Sequence, residues 1–390
     1  MVYLSQPAIT QAIAKIEASL CVPLFERRSD GMFTTECGRI FLERVERALN
    51  LVQFGAKEAV RIGLRRGGRS ITNFDQLLTM AQLRALVAVA DAGNFTLAAR
   101  AAGISQPSLH RTARDLERLS GITFFNKSSQ GIELTRAAQV LAQQAKLAFG
   151  ELEQGFDEVE EWRGKDVGSI VVGTMPLART FILPTAINAL TRERPEVRVS
   201  VVDGPYNDLL HGLRHGEMDL LIGALRDPPP IDDVVQEPLF RDPLAVVARA
   251  GHPLGKVDPV SVEDLVRYPW VVPRRGAPTR IHFDSFLGGA KSGRPASLIE
   301  SSSLILIREL LLGSDRLTLI SAHQVQHEIR MGLLIPLAVA IPGTEREIGL
   351  TMRQDWRPTA TQRRFLECLR EAGRKATEKE GTARRMLFKN

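Results

Sequence analysis

The sequence predicts an α+β multi-domain protein. It contains a winged helix-turn-helix unit twice, once partial and once complete, followed by a long linker helix and a two-lobed α/β domain. Three observations support this. The motif Ser5-Gln6-Pro7 recurs as Ser105-Gln106-Pro107, 100 positions later. Apolar residues recur at helical spacing over residues 137–162. From Gly168 onwards, short β-branched runs alternate with helical patterns, which is typical of parallel sheets flanked by helices.

The repeat extends beyond this motif without a gap. Its other anchors are pairs of identical residues: Glu17 and Glu117, Phe25 and Phe125, Gly31 and Gly131, and Thr35 and Thr135. The apolar positions between the anchors also correspond, so the chain carries one small folding unit twice. We call residues 1–60 copy one and residues 75–136 copy two.

Copy two has the signals of three helices and a wing. Thr79 is a suitable cap for a first helix, and Gly93 suits the left-handed residue that ends it. We expect Thr96 to cap a second, Ala-rich helix. Ser105 caps the third helix, with Pro107 in its first turn, where a missing N–H costs nothing. A short hairpin with a basic tip follows the third helix.

The third helix of copy two has an apolar stripe, Leu109, Ala113 and Leu116, and polar residues on its other faces. Gln and Arg side chains form bidentate hydrogen bonds with adenine and guanine edges in the major groove, and a basic wing can contact phosphate. We therefore expect DNA contacts from Thr96, Ser105, Gln106, Pro107, Ser108, His110, Arg111, Arg114, Lys127 and Ser128.

Copy one begins at Met1, which aligns with Ala101, so it lacks the first helix and nearly all of the second. A three-helix unit cannot bury its recognition helix without those partners. Either the true start lies upstream, or copy one is a remnant that packs on something else. We predict that residues 1–60 alone are not a stable domain and do not bind DNA specifically, and that residues 72–390 retain operator binding. The residues of copy one with suitable chemistry are Ser5, Gln6, Gln11, Arg27 and Arg28.

The remaining boundaries follow from composition and periodicity. Residues 61–74 form a basic, Gly-rich linker. Residues 137–165 form a linker helix, and a long exposed helix of this kind is expected to pair with another helix, here between two subunits. Residues 166–375 form the two lobes, with cross-overs near residues 225–245 and 335–350, and residues 376–390 form a tail.

Charge and composition narrow the function. Residues 1–150 hold 19 Lys and Arg against 12 Asp and Glu, a net charge of +7, whereas the whole chain has +6. The positive excess therefore lies with the repeat, as phosphate binding requires. We expect a cytoplasmic protein without a membrane span, because no apolar run is long enough and the three cysteines lack disulfide or metal spacing. His211 and His215 lie four residues apart without a third ligand, so no metal is expected.

Ligands of open α/β sheets bind at the carboxyl ends of the strands. Residues at the predicted strand ends, and at one helix start, are thus candidates for binding a small-molecule effector. They are Thr174, Met175, Pro176, Asp203, Gly204, Pro273, Gly276, Thr279, Ser301, Ser303 and Ser321. The chain lacks a dinucleotide-binding fingerprint, a Walker motif and a nucleophile elbow. An enzyme or a small-molecule-binding protein built on the lobes remains the alternative.

The chain resembles the LysR-type transcriptional regulators. The resemblance rests on Phe95-Thr-Leu-Ala-Ala-Arg, Ile104-Ser-Gln-Pro-Ser-Leu-His-Arg and Leu134-Thr-Arg, on the corresponding text of copy one, and extends through the lobes. It implies a periplasmic-binding-protein-like effector domain, similar to the galactose-binding-protein-regulator branch. It also implies an operator-DNA partner, a small polar effector such as a sugar or organic acid, self-association through the linker helix as a dimer or tetramer, RNA polymerase as a candidate partner, no cofactor and no enzymatic activity.

Overall fold

The computed structural model describes residues 5–64, 74–128, 131–288, 295 and 297–387, without the side chains of residues 64, 128 and 378–387. Most of the predicted linker, residues 65–73, and the wing-tip residues Ser129 and Gln130 lie outside the described residues. In the part described, no helix is both long and apolar enough to cross a membrane.

The duplicated sequence folds into duplicated elements. Those of copy one and its following helix are α1 (Gln6–Leu20), β1 (Phe25–Arg28), β2 (Gly31–Thr34) and α2 (Glu36–Leu64). Those of copy two and its following helix are α3 (Phe74–Leu77), α4 (Met80–Ala92), α5 (Phe95–Ala101), α6 (Gln106–Ser120), β3 (Phe125–Ser128), β4 (Gly131–Leu134) and α7 (Arg136–Trp162). In each copy the two strands form an antiparallel wing.

The same side chain fixes the wing to the recognition helix in both copies. Glu17 Oε1 accepts hydrogen bonds from the backbone N–H groups of Leu24 (2.7 Å) and Phe25 (3.1 Å). Glu117 Oε1 accepts the equivalent bonds from Phe124 (2.8 Å) and Phe125 (3.0 Å). A carboxylate that satisfies two backbone donors holds the strand start against the helix. The glutamate shared by the two copies therefore makes the same contact between helix and wing in both.

Helix α7 pairs with α2 of the same chain, whereas the sequence led us to expect a partner helix from a second subunit. The two helices run antiparallel: Gly55 abuts Gln144 and Leu141, and Gly155 abuts Arg44 and Phe41. These two contacts are equivalent under the repeat offset of 100 positions. The helix pair therefore has pseudo-two-fold symmetry within one chain, because copy one supplies the second helix.

Lobe I contains β5 (Ser169–Thr174), α8 (Ile182–Glu193), β6 (Arg198–Asp203), α9 (Tyr206–Arg214), β7 (Leu220–Ala224) and β8 (Val234–Asp242). Lobe II contains β9 (Leu244–Arg249), α10 (Val262–Leu265), β10 (Trp270–Val272), α11 (Pro278–Leu287), β11 (Leu298–Glu300), α12 (Leu304–Leu312), β12 (Leu317–Ser321), α13 (Gln326–Arg330) and β13 (Leu334–Pro336). The chain returns to lobe I with β14 (Arg346–Arg353) and ends in α14 (Ala360–Leu387).

Each lobe is a five-stranded sheet with helices on both faces. The strand orders are β6-β5-β7-β14-β8 in lobe I and β11-β10-β12-β9-β13 in lobe II. Both sheets are mixed, because β14 runs antiparallel to β7 and β8, and β9 runs antiparallel to β12 and β13. The sequence patterns missed β8 and β14. Helix α14 also continues past residue 375, so the predicted tail boundary falls inside a helix.

Candidate DNA-recognition surface and effector cleft

Helix α6 has the burial pattern of a recognition helix. Leu109, Ala113 and Leu116 are fully buried against α4 and α5. The polar residues predicted to contact DNA lie on the exposed surface: Gln106, Ser108, His110, Arg111 and Arg114. Three of these have partners within the protein: Arg114 forms an ion pair with Glu117 at 2.6 Å, the His110 ring packs on Phe95, and the Ser108 hydroxyl lies 2.8 Å from that of Ser105. Arg111, by contrast, is exposed and has no ion-pair partner among the described residues.

Two predicted residues of copy two, Ser105 and Pro107, have local structural roles. The Ser105 side chain caps α6 by accepting from Ser108 N–H at 3.3 Å, and Pro107 lies in the first turn of α6. Thr96 does not cap α5, contrary to expectation. Asn94 Oδ1 accepts from the N–H groups of Thr96 (2.7 Å) and Leu97 (3.3 Å), because an Asn side chain reaches two donors at a helix start. Thr96 itself is exposed in the first turn of α5.

The described part of the copy-two wing is also accessible. Lys127 lies on β3 and is exposed, while the side chain of Ser128 lies outside the description. The structure also shows an exposed basic side chain, Arg100, in the last turn of α5, and the prediction of DNA-contacting residues left it out. The sequence could have indicated Arg100, because it is the last residue of the motif Phe95-Thr-Leu-Ala-Ala-Arg.

Copy one has the recognition helix and wing but a different environment. Ser5, Gln6, Gln11, Arg27 and Arg28 are all exposed. Ser5 makes no side-chain capping bond, and Arg28 pairs with Glu26. The described residues of copy one include no counterparts of α4 and α5. Its apolar stripe therefore stays accessible, with Ile9 39% and Ile16 40% exposed, while the equivalent stripe of copy two is buried.

The effector domain contains a cleft of about 1040 Å³ between the lobes. It gathers most of the predicted effector residues, namely Met175, Pro176, Asp203, Gly204, Pro273, Gly276, Thr279 and Ser301. The other three face structural partners. Thr174 is buried and its hydroxyl donates to the carbonyl of Met175, Ser303 caps α12, and Ser321 bonds Asp242.

The prediction left out several polar, charged and aromatic residues of the cleft, among them Arg179, Tyr206, Arg226 and Arg346. The Arg226 guanidinium lies 4.5 Å from the centre of the Tyr206 ring. The Tyr206 hydroxyl is buried without a hydrogen-bond partner in the described structure, and burial raises the pKa of Tyr206. Arg226 lies in the loop between β7 and β8 of lobe I, and Arg346 begins β14, a strand that the sequence patterns missed.

A buried charged cluster joins the lobes behind the cleft. Asp242 at the end of β8 accepts hydrogen bonds from Ser321 at the end of β12 and from Arg346 at the start of β14. Arg346 also donates to Thr279 on α11 at 3.2 Å. Burial raises the pKa of Asp242, although the charge of Arg346 opposes the shift. The cluster therefore connects both lobes at the point where the chain crosses between them.

The helix pair is also bonded to lobe I. Arg44 donates to the carbonyl of Arg357 at 2.9 Å, and Gln143 donates to the carbonyl of Arg214 at 3.1 Å. Asp219, which accepts from the N–H of Val171, lies near this junction, and burial raises the pKa of this carboxyl to about 6. Among the described residues, no three His, Cys, Asp or Glu side chains are grouped to hold a metal ion.

Family comparisons agree with this architecture. The model of the bacterial regulatory helix-turn-helix protein, lysR family, matches twice, at residues 1–39 and 80–139. The LysR substrate binding domain model matches residues 163–374. This chain belongs to the LysR family of DNA-binding transcriptional regulators.

Relatives within the LysR family support this assignment. The regulator GalR of Pseudomonas putida is 33% identical over 371 residues, which cover 95% of this chain and 91% of GalR. An alignment of that length includes part of copy one, and it supports a GalR-like effector branch. The regulator PcaQ of Agrobacterium fabrum is 29% identical over 300 residues, covering 76% of this chain and 96% of PcaQ. These relatives are transcriptional regulators, so the chain is a regulator and not an enzyme.

Solved structures of LysR-family proteins share the fold. A full-length OxyR variant from Pseudomonas aeruginosa superposes with a TM-score of 0.55 at 24% identity, covering 76% of this chain and 95% of OxyR. CbnR in complex with its target DNA gives a TM-score of 0.51 at 20% identity, covering 76% of this chain and all of CbnR (100%). Both confirm the predicted combination of a helix-turn-helix domain with a two-lobed domain.

Proposed function

We propose that this regulator recognises a specific operator through copy two and responds to a small polar metabolite bound between its lobes. The observation that carries the proposal is the burial pattern of α6, which buries its apolar stripe and exposes Gln106 and Arg111. Buried neighbours fix the helix, and the exposed face is free to enter a major groove. A cytoplasmic location is part of the proposal, supported by the three free thiols.

The recognition residues divide by chemistry. The Gln106 amide carries a donor and an acceptor, and the Arg111 guanidinium carries a fork of donors. Both groups can form bidentate hydrogen bonds with base edges, so they are assigned to sequence discrimination. Lys127 on the wing is a flexible point charge, so it is assigned to phosphate. Arg114 is held by Glu117 and is assigned a secondary role.

We expect Arg111→Ala to weaken binding to the preferred operator far more than binding to random duplex. A base contact of this kind contributes about 1–3 kcal/mol to discrimination. Lys127→Ala is the matched control, because it also removes one exposed positive charge, and we expect it to weaken binding to both duplexes alike. Fluorescence anisotropy on both DNAs at two salt concentrations measures this. Equal losses on both DNAs for Arg111→Ala would remove Arg111 from the recognition role.

The effector is proposed to be a sugar or an organic acid. The cleft supplies hydroxyl groups from Thr279 and Ser301 and positive charge from Arg226. Hydroxyl donors suit sugar hydroxyls, and guanidinium groups suit carboxylates. Arg226 has no carboxylate partner within ion-pair distance among the described residues, so its charge is available to a ligand.

We expect the correct ligand class to raise the thermal stability of the protein. A ligand at 100 times its Kd stabilises the folded state by about 2.7 kcal/mol. Differential scanning fluorimetry of the full chain, with a panel of hexoses and of aliphatic and aromatic carboxylic acids, tests this. Arg226→Gln should abolish the shift for a carboxylate and reduce it less for a sugar. No shift with any member of the panel would count against both ligand classes while leaving DNA recognition untouched.

A further inference from the structure

The two winged units also follow the pseudo-two-fold symmetry of the α2–α7 helix pair. The wing of copy one leads into the start of α2, and the wing of copy two leads into the start of α7. Because the helices are antiparallel, the two recognition helices lie at opposite ends of the pair. Copy two also packs on the end of α2, where Gly63 abuts Ile122 and where Ala56 and Ala59 join the copy-two core.

The spacing suits a single stretch of duplex. Helix α2 has 29 residues, which gives a length of about 44 Å at 1.5 Å per residue. Two-fold helix-turn-helix dimers place their recognition helices about one turn of B-DNA apart, roughly 34–36 Å or a multiple of that distance. The length of the helix pair is close to this distance, which favours contact of both recognition helices with a single operator.

The two recognition helices expose different side chains at equivalent positions. Copy one has Gln6 and Gln11 where copy two has Gln106 and Arg111, and all four are exposed. Gln pairs with adenine and Arg pairs with guanine. Basic side chains accompany both helices, since Arg27 and Lys127 lie at equivalent positions on their wings and are exposed.

We propose that one chain acts as a covalent pseudo-dimer and reads both halves of one operator. Copy one contacts a half-site with adenine opposite Gln11, and copy two contacts a half-site with guanine opposite Arg111. The operator is therefore asymmetric, and each chain brings two recognition helices rather than one. This inference rests on the proposed DNA-binding function.

The first test counts contacts per chain. The operator is selected from a random-sequence duplex library with the full chain, and the complex is analysed by hydroxyl-radical footprinting and native mass spectrometry. We expect two protected segments for each chain in the complex, whatever its oligomeric state. One protected segment per chain would overturn the proposal. Failure to select any sequence would instead count against DNA recognition itself.

The second test changes specificity through exposed residues, so that folding is preserved. We expect Gln11→Arg to raise affinity for an operator with guanine in the copy-one half-site by about tenfold, and Arg111→Gln to do the same for adenine in the other half-site. Ser19→Arg adds the same charge at the far end of α1 and should leave base preference unchanged. If Gln11→Arg behaves like Ser19→Arg, copy one contributes only the helix partner of α7 and the proposal is wrong.

Discussion

Replacing Arg44 with alanine is expected to lower the free energy of unfolding by about 3–5 kcal/mol. The Arg44 side chain is completely buried (0% exposed) between α2 and α7. It donates to Glu151 at 2.8 Å and to Glu158 at 2.6 Å. Burial lowers the pKa of Arg44, but the hydrogen bonds and charges of Glu158 and Glu151 outweigh this effect and raise the pKa overall. Among the described residues, alanine would leave Glu158 in the interface without a cation and Glu151 with only Arg47, at 2.9 Å. Urea unfolding followed by circular dichroism measures the change.

The pseudo-symmetry provides the control for this prediction. Gln144 is the counterpart of Arg44 in copy two and packs on Gly55, so Gln144→Ala removes a side chain of similar position without separating charges. We expect it to cost less than about 1.5 kcal/mol. The triple variant Arg44→Met, Glu151→Leu and Glu158→Leu should recover most of the loss, because apolar side chains replace the buried charges. If Arg44→Ala costs no more than Gln144→Ala, the buried charges do not hold the helix pair together.

The recognition unit could be predicted in detail because its signals are local. Ser105 and Pro107 define a helix start within three residues, and Leu109, Ala113 and Leu116 fix its buried face. The one local error, at Thr96, came from two polar candidates for the same cap. Asn94 lies two residues earlier and reaches two backbone donors. The apolar periodicity alone could not show which of the two residues caps the helix.

The partner of α7 could not be predicted from the helix itself. Its apolar pattern required a second helix, but a helix in the same chain and one in another subunit satisfy that pattern equally. The choice depends on contacts between positions more than 100 residues apart, such as Arg44 with Glu151 and Glu158. Two glycines at equivalent positions, Gly55 and Gly155, permit the close approach.

The cleft was predictable where strands are parallel and regular, and unpredictable where the chain crosses between lobes. Met175 and Asp203 follow β5 and complete β6, and both line the cleft. Strand β8 contains Pro238 and shifts register against β14 at Gly349, so neither strand shows clean alternation. Arg346, at the start of β14, was missed for that reason.

Replacing Asp242 with asparagine is expected to destabilise the effector domain by about 3–5 kcal/mol. The Asp242 side chain is completely buried (0% exposed) and pairs with Arg346, whose side chain is 17% exposed. Asparagine preserves the shape and can still accept from Ser321, but it removes the charge that neutralises Arg346. Since the cluster joins β8, β12 and β14, the loss should also make the unfolding of the two lobes less cooperative. Urea unfolding followed by tryptophan fluorescence and circular dichroism measures both effects.

Two comparisons isolate the buried charge in this prediction. Asp203→Asn removes a carboxylate that is 67% exposed and pairs with Arg179 at 3.3 Å, so we expect a cost of less than about 1 kcal/mol. The double variant Asp242→Asn with Arg346→Gln has no uncompensated buried charge and should be more stable than Asp242→Asn alone, which gives a coupling energy of about 0.5–3 kcal/mol. If the two changes are additive, Asp242 and Arg346 act independently, and the connection between the lobes depends on packing rather than on this ion pair.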